Sequence, residues 1–423
     1  MIKIVEKGEI ENELEKIIKS KSIEFNNDAV KTVGSIIEKI KKEKDKGLKE
    51  LTLKYDKQDI EDFRVPSEVI ETAYKSSAPS FLEALRKAKD NIESFHAKQK
   101  KDEWFEQVED DVFLGMRVVP IESVGVYVPG GSAAYPSTVL MNVIPAIVAG
   151  VSRITIASPP KISPLILAAA AELGVSEIYQ MGGAQAIAAL AYGTETIPKV
   201  DKIVGPGNLY VALAKKMVFG AVGIDSLAGP SDIVIVADCE SDANFIAADL
   251  LAQSEHDAES SAILITDSKE LASKVMDELE KQIVKLKRKE IAEKALNKNG
   301  KIFLIDNLSK APNIVNQIAP EHLEILSSPP QEMIEKIKNA GAIFLGPFSP
   351  VAVGDYMAGP NHVLPTGGTA RFSSPLSVYD FIKRQSIVGY TKAALEKTKS
   401  KIQMLAELEG LDAHARSIEI RFS

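Results

Sequence analysis

Cysteine is almost absent from the chain, with Cys239 standing alone among 423 residues. One cysteine excludes an intrachain disulfide, a cysteine-rich zinc site and an iron–sulfur cluster. Long apolar runs are also missing: the stretches 168–171 and 184–191 are alanine-rich and fall short of the roughly 20 residues that cross a bilayer. The N-terminal residues lack the apolar core of a signal peptide. We therefore expect a cytoplasmic protein without membrane segments.

Positive charge is in short supply as well. Lys and Arg number 51 against 59 Asp and Glu, which gives a formal net charge of −8. Such a chain is poorly suited to bind nucleic acid or an anionic membrane, so neither is expected as a partner. What is plentiful is ordinary globular composition, 45% apolar and 26% charged, over a length of two to three domains.

The composition and the hydrophobic pattern of the sequence change near residue 112. Before it, Lys and Glu surround apolar residues at helical spacing, which predicts amphipathic helices. After it, short β-branched runs alternate with Gly/Pro turns and helical segments such as 269–298 and 331–339. The predicted strands are 124–128, 154–157, 177–180, 202–204, 232–236, 262–266, 302–305 and 342–345. This alternation predicts βαβ units in two modules with mostly parallel sheets. From about 377 the chain is expected to be helical, with Gly410 as a stop.

Histidine is rare enough to inspect residue by residue. Gln253 and His256 close an apolar helix three residues apart, so they could present an amide oxygen and an imidazole to one point. Glu321 and His322 follow the helix-breaking Pro320 and form a usable acid–base pair. Taken singly, each pattern is more often a polar helix end or a solvated surface pair than a functional site.

Further polar residues lie in turns or in the tail. Asp355 and His362 lie among Gly and Pro, and loops on rigid sheets often hold sites, although such loops are also plain turns. His414, five residues after Glu409, has the weakest intrinsic case. His96 suggests a structural role.

Glycine-rich junctions follow several predicted strands. They are 127–131, 182–185, 205–208 and 229–231. Strand–turn–helix junctions let backbone amides approach phosphate groups. None matches G-x-G-x-x-G or the P-loop, so spacing alone leaves tight turns as the simpler interpretation.

Taken together and in order, these motifs resemble the histidinol dehydrogenase family over nearly the whole chain. The matching segments include GVYVPGG (125–131), YPSTVLMNVIPAIVAGV (135–151), MGGAQAIAALAYGT (181–194), VGPGNLYV (204–211), GIDSLAGPSD (223–232), AQSEH (252–256), APEHLE (319–324), GDYMAGPNHVLPTGGTARFSSPLSV (354–378) and EGLDAH (409–414).

The resemblance implies an α/β fold with two incomplete, doubly wound Rossmann-like domains and small helical extensions at both ends, in a domain-swapped dimer. The implied parts are an N-terminal extension (1–24), a first domain with the metal and substrate site (25–125 with 234–376), a second domain on the NAD side (126–233) and a C-terminal tail (377–423). The tail is expected to reach the partner subunit's site in a homodimer with shared sites.

The implied activity is the NAD-dependent four-electron oxidation of L-histidinol, through L-histidinaldehyde, to L-histidine, the end of histidine biosynthesis. The resemblance implies one Zn²⁺ per subunit, held by Gln253, His256, Asp355 and His414. A set of imidazoles, carboxylate and amide is compatible with zinc, although Gln is an uncommon ligand.

The resemblance also implies individual roles. Glu321 would activate the water that hydrates the aldehyde, and His322 would transfer protons as the general base. NAD would contact Tyr127, Gln185 and Asn208. Substrate would contact Ser231, Gln253, His256, His322, Asp355, His362, Glu409 and His414. Glu409 and His414 would do so in the partner subunit's site.

Two positions depart from the family pattern: Asp232 stands where Glu is expected and Asp257 where Gly is commoner. Three rival interpretations remain. A cysteine-dependent aldehyde dehydrogenase would need Cys239 as its nucleophile. A zinc hydrolase would use Gln253, His256 and Asp355, but the chain has no H-E-x-x-H motif. A metal-binding scaffold without catalysis would need no acid–base pair.

Overall fold

The computed structural model describes residues 2–21, 26–99, 103–130, 134–227, 229–327 and 330–423. Gly131 and Ala228, from the glycine-rich segments, and residues 22–24 of the predicted N-terminal extension lie outside these ranges. The strands are β1 (Lys3–Val5), β2 (Trp104–Glu109), β3 (Val112–Pro120), β4 (Ser123–Tyr127), β5 (Arg153–Ser158), β6 (Ile178–Gln180), β7 (Lys202–Val204), β8 (Gly223–Ile224), β9 (Asp232–Val236), β10 (Ser261–Thr266), β11 (Lys301–Leu304), β12 (His322–Ile325), β13 (Ala342–Leu345) and β14 (Ile382–Tyr390).

The described residues also form sixteen α-helices. They are α1 (Ile10–Ser20), α2 (Asn27–Asp56), α3 (Ser67–Lys75), α4 (Pro79–Ala97), α5 (Pro136–Ala149), α6 (Pro164–Glu172), α7 (Gly183–Tyr192), α8 (Leu209–Val218), α9 (Ala243–Ser254), α10 (Lys269–Ile283), α11 (Lys289–Asn299), α12 (Ala311–Ile318), α13 (Pro330–Ile334), α14 (Val351–Tyr356), α15 (Lys392–Leu408) and α16 (Asp412–Glu419). The chain forms two compact units, Met1–Gln99 with Ile121–Phe381, and Lys100–Pro120 with Ile382–Ser423.

The first unit contains a six-stranded parallel sheet in the order β1-β11-β10-β9-β12-β13. Helices α9, α10 and α11 bury apolar side chains on one face, and α1 and α12 do so on the other. Strand β9 therefore consists entirely of buried residues, as expected for a parallel strand covered on both faces. This layering is the doubly wound arrangement that alternating strands and helices predict.

The same unit contains a five-stranded parallel sheet in the order β6-β5-β4-β7-β8. Helices α2, α7 and α8 pack against it through one continuous apolar cluster. Small side chains in α7, where Ala is the commonest residue, allow the helix backbone to lie close to its neighbours. The mixed α/β fold with parallel sheets is thus confirmed, while the domain limits and the domain swap stay predictions.

The second unit has an antiparallel sheet in the order β14-β3-β2, followed by α15 and α16. The prediction that the chain is helical from 377 is wrong at β14, because its nine residues pair in register with β3. Strands β1 and β2 likewise interrupt the region predicted to be helical. The segment 269–298 forms two helices, α10 and α11, and helix 331–339 stops at Ile334.

Two further features of the helices concern the end of α15 and the lengths of the apolar helices. Gly410 follows the end of α15 with φ of 73°, so it does terminate the helix as predicted. Of the helices described above, none is long and apolar enough to cross a membrane.

Candidate functional site

The predicted metal and catalytic residues of the first unit gather at the amino edge of the six-stranded sheet. Asp232 begins β9, and His322 begins the neighbouring β12, where it pairs with Ile233. A helix that connects parallel strands runs back against them, so its carboxyl end returns to the edge where the strand began. Helix α9 brings Gln253 to that edge in this way, and α14, after β13, carries Asp355.

Glu321 is buried and joined to Asp232 by two hydrogen bonds. The Glu321 backbone N–H donates to Asp232 Oδ1 at 2.7 Å, and the Asp232 backbone N–H donates to Glu321 Oε2 at 3.2 Å. The side chain of Ser231 bonds to the same carboxyl group. Burial raises the pKa of Glu321 well above its ordinary value, and the negative charge of Asp232 raises it further. A carboxylate with a raised pKa is a stronger base, which suits it to accept a proton from water.

His322 has a ring orientation set by the main chain. Its Nδ1 lies 3.1 Å from the carbonyl oxygen of Asp232, and a carbonyl can only accept, so Nδ1 carries the hydrogen and Nε2 carries the lone pair. Burial lowers the pKa of His322, and the charge of Asp355 opposes that shift. A neutral ring with a free Nε2 can take a proton from a substrate hydroxyl.

The residues predicted to hold zinc have suitable chemistry in the first unit. Gln253 is 3% exposed, and its amide nitrogen has no hydrogen-bond partner among the described residues. Such an orphaned buried group points to a missing ligand, and the two ends of an amide can be exchanged by rotation, which would present the oxygen instead. His256 follows α9 rather than closing it, which corrects the prediction of a shared helical face.

His256 keeps part of its surface open to solvent, yet the protein atoms around the ring lower its pKa by desolvation, against the charge of Asp355. A neutral imidazole, a carboxylate and an amide oxygen form a donor set that fits Zn²⁺. Across the described ranges, however, no group of three or more His, Cys, Asp or Glu side chains is assembled at metal-holding distances. Gln253 would contribute an amide oxygen, which is not among these four side-chain types.

His362 and Asp355 line a cavity of about 560 Å³ in the first unit. The ring of His362 bonds through Nδ1 to the backbone oxygen of Asp355 at 3.1 Å, which again leaves Nε2 free. The preceding Asn361 donates through its amide to Met141 O at 2.6 Å and lies 3.4 Å from Nε2 of the fully buried His96. His96 thus supports the loop next to the site, in keeping with a structural role.

The three residues predicted to bind NAD line one cavity of about 430 Å³ at the carboxyl edge of the five-stranded sheet. The hydroxyl of Tyr127 accepts a hydrogen bond from the Gly183 N–H at 3.1 Å, and burial raises the pKa of Tyr127 to about 12. Gln185 donates to Asp56 Oδ2 at 3.0 Å. Asn208 caps α8 through its Oδ1. Carboxyl edges of parallel sheets are where nucleotides usually bind.

Two glycines allow close packing of the backbone beside the residues predicted to bind NAD. Gly205 has φ of 107°, and a Cβ there would lie 2.1 Å from the carbonyl oxygen of Tyr127. Gly183 has φ of 61°. Backbone in this left-handed region strongly favours glycine, so Gly205 keeps the turn after β7 packed against Tyr127. The cavity at the carboxyl edge of the parallel sheet, lined by Tyr127, Gln185 and Asn208, fits NAD.

Three residues that contact the predicted site had no role predicted from the sequence: Asp56, Lys21 and the side chain of Asp232. Asp56 ends α2, and its raised pKa reflects burial beside Gln185. Lys21 forms an ion pair with Asp232 across the fold. The only available signal was that Asp232 departs from the family pattern.

Glu409 and His414 belong to the second unit. Glu409 is the C-terminal cap residue of α15, and His414 lies in α16, both with exposed side chains. Their predicted action in a partner's site stays a prediction.

The profile of the histidinol dehydrogenase family matches residues 19–422. A histidinol dehydrogenase from Bacillus licheniformis is 55% identical over 92% of this chain and 93% of its own, and one from Clostridium acetobutylicum is 50% identical over 100% and 99%. The crystal structure of a histidinol dehydrogenase from Elizabethkingia anophelis superposes with a TM-score of 0.93, at 38% identity, covering 99% and 98% of the two chains.

An acetylating aldehyde dehydrogenase from Geobacillus thermoglucosidasius reaches a TM-score of 0.50 at 13% identity over 91% of this chain and 97% of its own, which shows a shared fold alone. The rival interpretations as an aldehyde dehydrogenase or a zinc hydrolase are therefore not supported. On its full-length matches in sequence and structure, the chain belongs to the histidinol dehydrogenase family.

Proposed function

We propose that the protein oxidises L-histidinol through L-histidinaldehyde to L-histidine, reducing two NAD in succession, as the end of histidine biosynthesis in the cytoplasm. The observation that carries this proposal is the pairing of Glu321 and His322 at one sheet edge, within electrostatic reach of Asp355. A base for the alcohol and a base for water are the two groups that this reaction requires.

The proposal assigns the binding of substrate, Zn²⁺ and NAD to separate sets of residues. Gln253, His256 and Asp355 would hold one Zn²⁺ together with His414 of a second subunit. When bound, Zn²⁺ would anchor the amino alcohol by its nitrogens, and NAD would accept a hydride in each oxidation. Ser231, His362 and Glu409 would contact the substrate, and Tyr127, Gln185 and Asn208 would hold NAD.

In the first oxidation, the hydroxyl proton must leave as the hydride leaves the carbon. The free Nε2 of His322 is the acceptor for that proton, because Nδ1 is committed to the carbonyl of Asp232. Burial keeps the ring neutral and therefore ready to accept.

The second oxidation needs water. An aldehyde carbon can lose a hydride only after water has added to it, so Glu321 takes a proton from water as the C–O bond forms. His322 returns the proton it gained in the first oxidation to the carbonyl oxygen and becomes neutral again. The resulting hydrate then loses a hydroxyl proton to His322 and a hydride to the second NAD. Each oxidation removes two electrons, which gives four in all and two NADH per histidinol.

The proposal extends to assembly. The proposed domains are 1–24, 25–125 with 234–376, 126–233 and 377–423, with boundaries that fall within β4 and β9. A domain-swapped homodimer would supply Glu409 and His414 in trans, which fits the exposed apolar side chains of α15, Leu405 and Leu408.

The test is a count of NADH formed per histidinol consumed, before and after chelation and after readdition of Zn²⁺. Two NADH per histidinol, lost on chelation and restored by zinc, are expected. Release of aldehyde after one NADH would contradict the single-site scheme, and activity that survives complete metal removal would contradict the assigned role of zinc.

A further inference from the structure

An ion pair between distant parts of the chain includes Asp232, which is hydrogen-bonded to Glu321. Lys21 Nζ lies 2.6 Å from Asp232 Oδ2, with the two side chains only 11% and 4% exposed. Lys21 also donates to the carbonyl oxygen of Ile318 at 2.9 Å, and Ile318 ends the helix that leads into Pro320 and Glu321. The lysine therefore holds both Asp232 and the segment that precedes the water-activating carboxyl group.

Asp232 contacts each proposed catalytic residue through a different atom. Its Oδ1 accepts from the backbone N–H of Glu321, its own N–H donates to Glu321 Oε2, and its carbonyl accepts from His322 Nδ1. Only the first of these contacts uses the side chain. Substitution at position 232 should thus disturb Glu321 first and leave the hydrogen bond to His322 in place.

The positive charge of Lys21 balances the negative charge of Asp232. The carboxyl groups of Asp232 and Glu321 interact electrostatically and repel each other when both are ionised, and Asp355 adds to this repulsion of Glu321. Lys21 offsets the charge of Asp232, so Glu321 can ionise without a second uncompensated carboxylate beside it. Removing one partner of a buried ion pair leaves the other charge unpaired, which is strongly unfavourable.

We propose that Lys21 and Asp232 are positioning residues, whose ion pair holds Glu321 in the orientation and charge balance needed to activate water in aldehyde oxidation. This inference rests on the proposed function of Glu321. It assigns to the N-terminal segment a part in the second oxidation rather than in substrate binding.

The experiment compares Lys21→Met, Asp232→Asn, the double variant and Lys21→Arg, each with L-histidinaldehyde and with L-histidinol as the starting substrate. Either charge-removing single variant should lower kcat for the aldehyde at least tenfold, with KM changed less than twofold and a smaller loss in the alcohol step. The double variant should recover at least threefold over Lys21→Met, because no unpaired charge remains. Lys21→Arg should keep most of the activity because the cation is retained.

Lys298→Met is the matched control. Lys298 lines the same cavity as Lys21, but it pairs with Glu259 at 2.6 Å instead of with Asp232. Its kinetics should equal those of the unaltered protein, with circular dichroism confirming the fold of every variant.

Three results would overturn the inference. The first is aldehyde kcat within twofold of the unaltered protein in both single variants. The second is an equal loss in both oxidations without recovery in the double variant, which would mean structural damage only. The third is unfolding of both charge-removing single variants while Lys21→Arg folds but is equally slow. Failure of the proposed function would show separately, as absence of NADH formation from histidinol in the unaltered protein.

Discussion

Two buried carboxyl groups beneath the site should make the protein less stable as pH rises. Glu324 is 1% exposed, its Oε1 accepts the Val351 N–H at 3.0 Å, and its carboxyl group interacts with that of Asp249. Burial, and then the charge of Asp249, raise the pKa of Glu324 to about 8. Burial also raises the pKa of Asp249, so at neutral pH the pair retains one proton.

The size and sign of the effect follow from the pKa of Glu324. A pKa of about 8 in the folded chain against an ordinary 4.5 corresponds to about 5 kcal/mol, at about 1.36 kcal/mol per pKa unit. The folded chain keeps a proton that the unfolded chain gives up. The stabilisation is therefore complete below pH 4.5 and is lost as pH rises through 8, with a slope of at most about 1.4 kcal/mol per pH unit.

The assay is urea unfolding from pH 5 to pH 9 for the unaltered protein and for Glu324→Gln. The amide keeps the shape of the protonated acid and can donate to Asp249, but it does not titrate. The variant should therefore gain stability relative to the unaltered protein as pH rises. Glu270→Gln, at an exposed carboxyl group, is the control and should not alter the slope. Parallel curves for the unaltered protein and Glu324→Gln would refute the reasoning.

Three further predictions concern activity. Glu321→Gln should slow aldehyde oxidation by about 10²-fold or more and alcohol oxidation less, measured as NADH formation from each substrate; equal losses would mean that the role is misassigned. Gly205→Ala should cost at least about 2 kcal/mol of folding stability and weaken NAD binding in calorimetry, because its φ of 107° and the adjacent carbonyl of Tyr127, a residue that lines the NAD cavity, leave no space for a Cβ; unchanged affinity and stability would contradict this packing. Mixing inactive His414→Ala and His322→Ala proteins should restore about a quarter of full activity through hybrid dimers, whereas no recovery after verified subunit exchange would argue against shared sites.

Local patterns were sufficient to predict most of the parallel strands. Buried strands such as β9 and β10 are short β-branched runs bounded by turn residues, and this signal does not depend on distant partners. Strand β14 was missed because its side chains are largely exposed and its pairing with β3 spans more than 260 residues of chain. The break between α10 and α11 fell inside a continuous polar, helix-favouring sequence.

The site was predictable in its members but not in its arrangement. Spacing did not nominate Gln253, whose assignment came from family resemblance, and no local rule places it near His322. The structure supplies the reason in the return of α9 to the edge where β9 and β12 begin. The role of Lys21 could not be predicted from the sequence, because its contact with Asp232 joins positions 211 residues apart.

The acceptor that orients His322 belongs to the polypeptide backbone, since it is the carbonyl oxygen of residue 232. Every amino acid offers the same carbonyl at that place, provided that β9 keeps its alignment with β12. Mutation can therefore vary the side chain there, from Asp to Glu for example, and adjust the neighbouring carboxyl group without erasing the preference for one protonated ring nitrogen. The two proton-handling groups are adjacent in sequence yet open to separate evolutionary change.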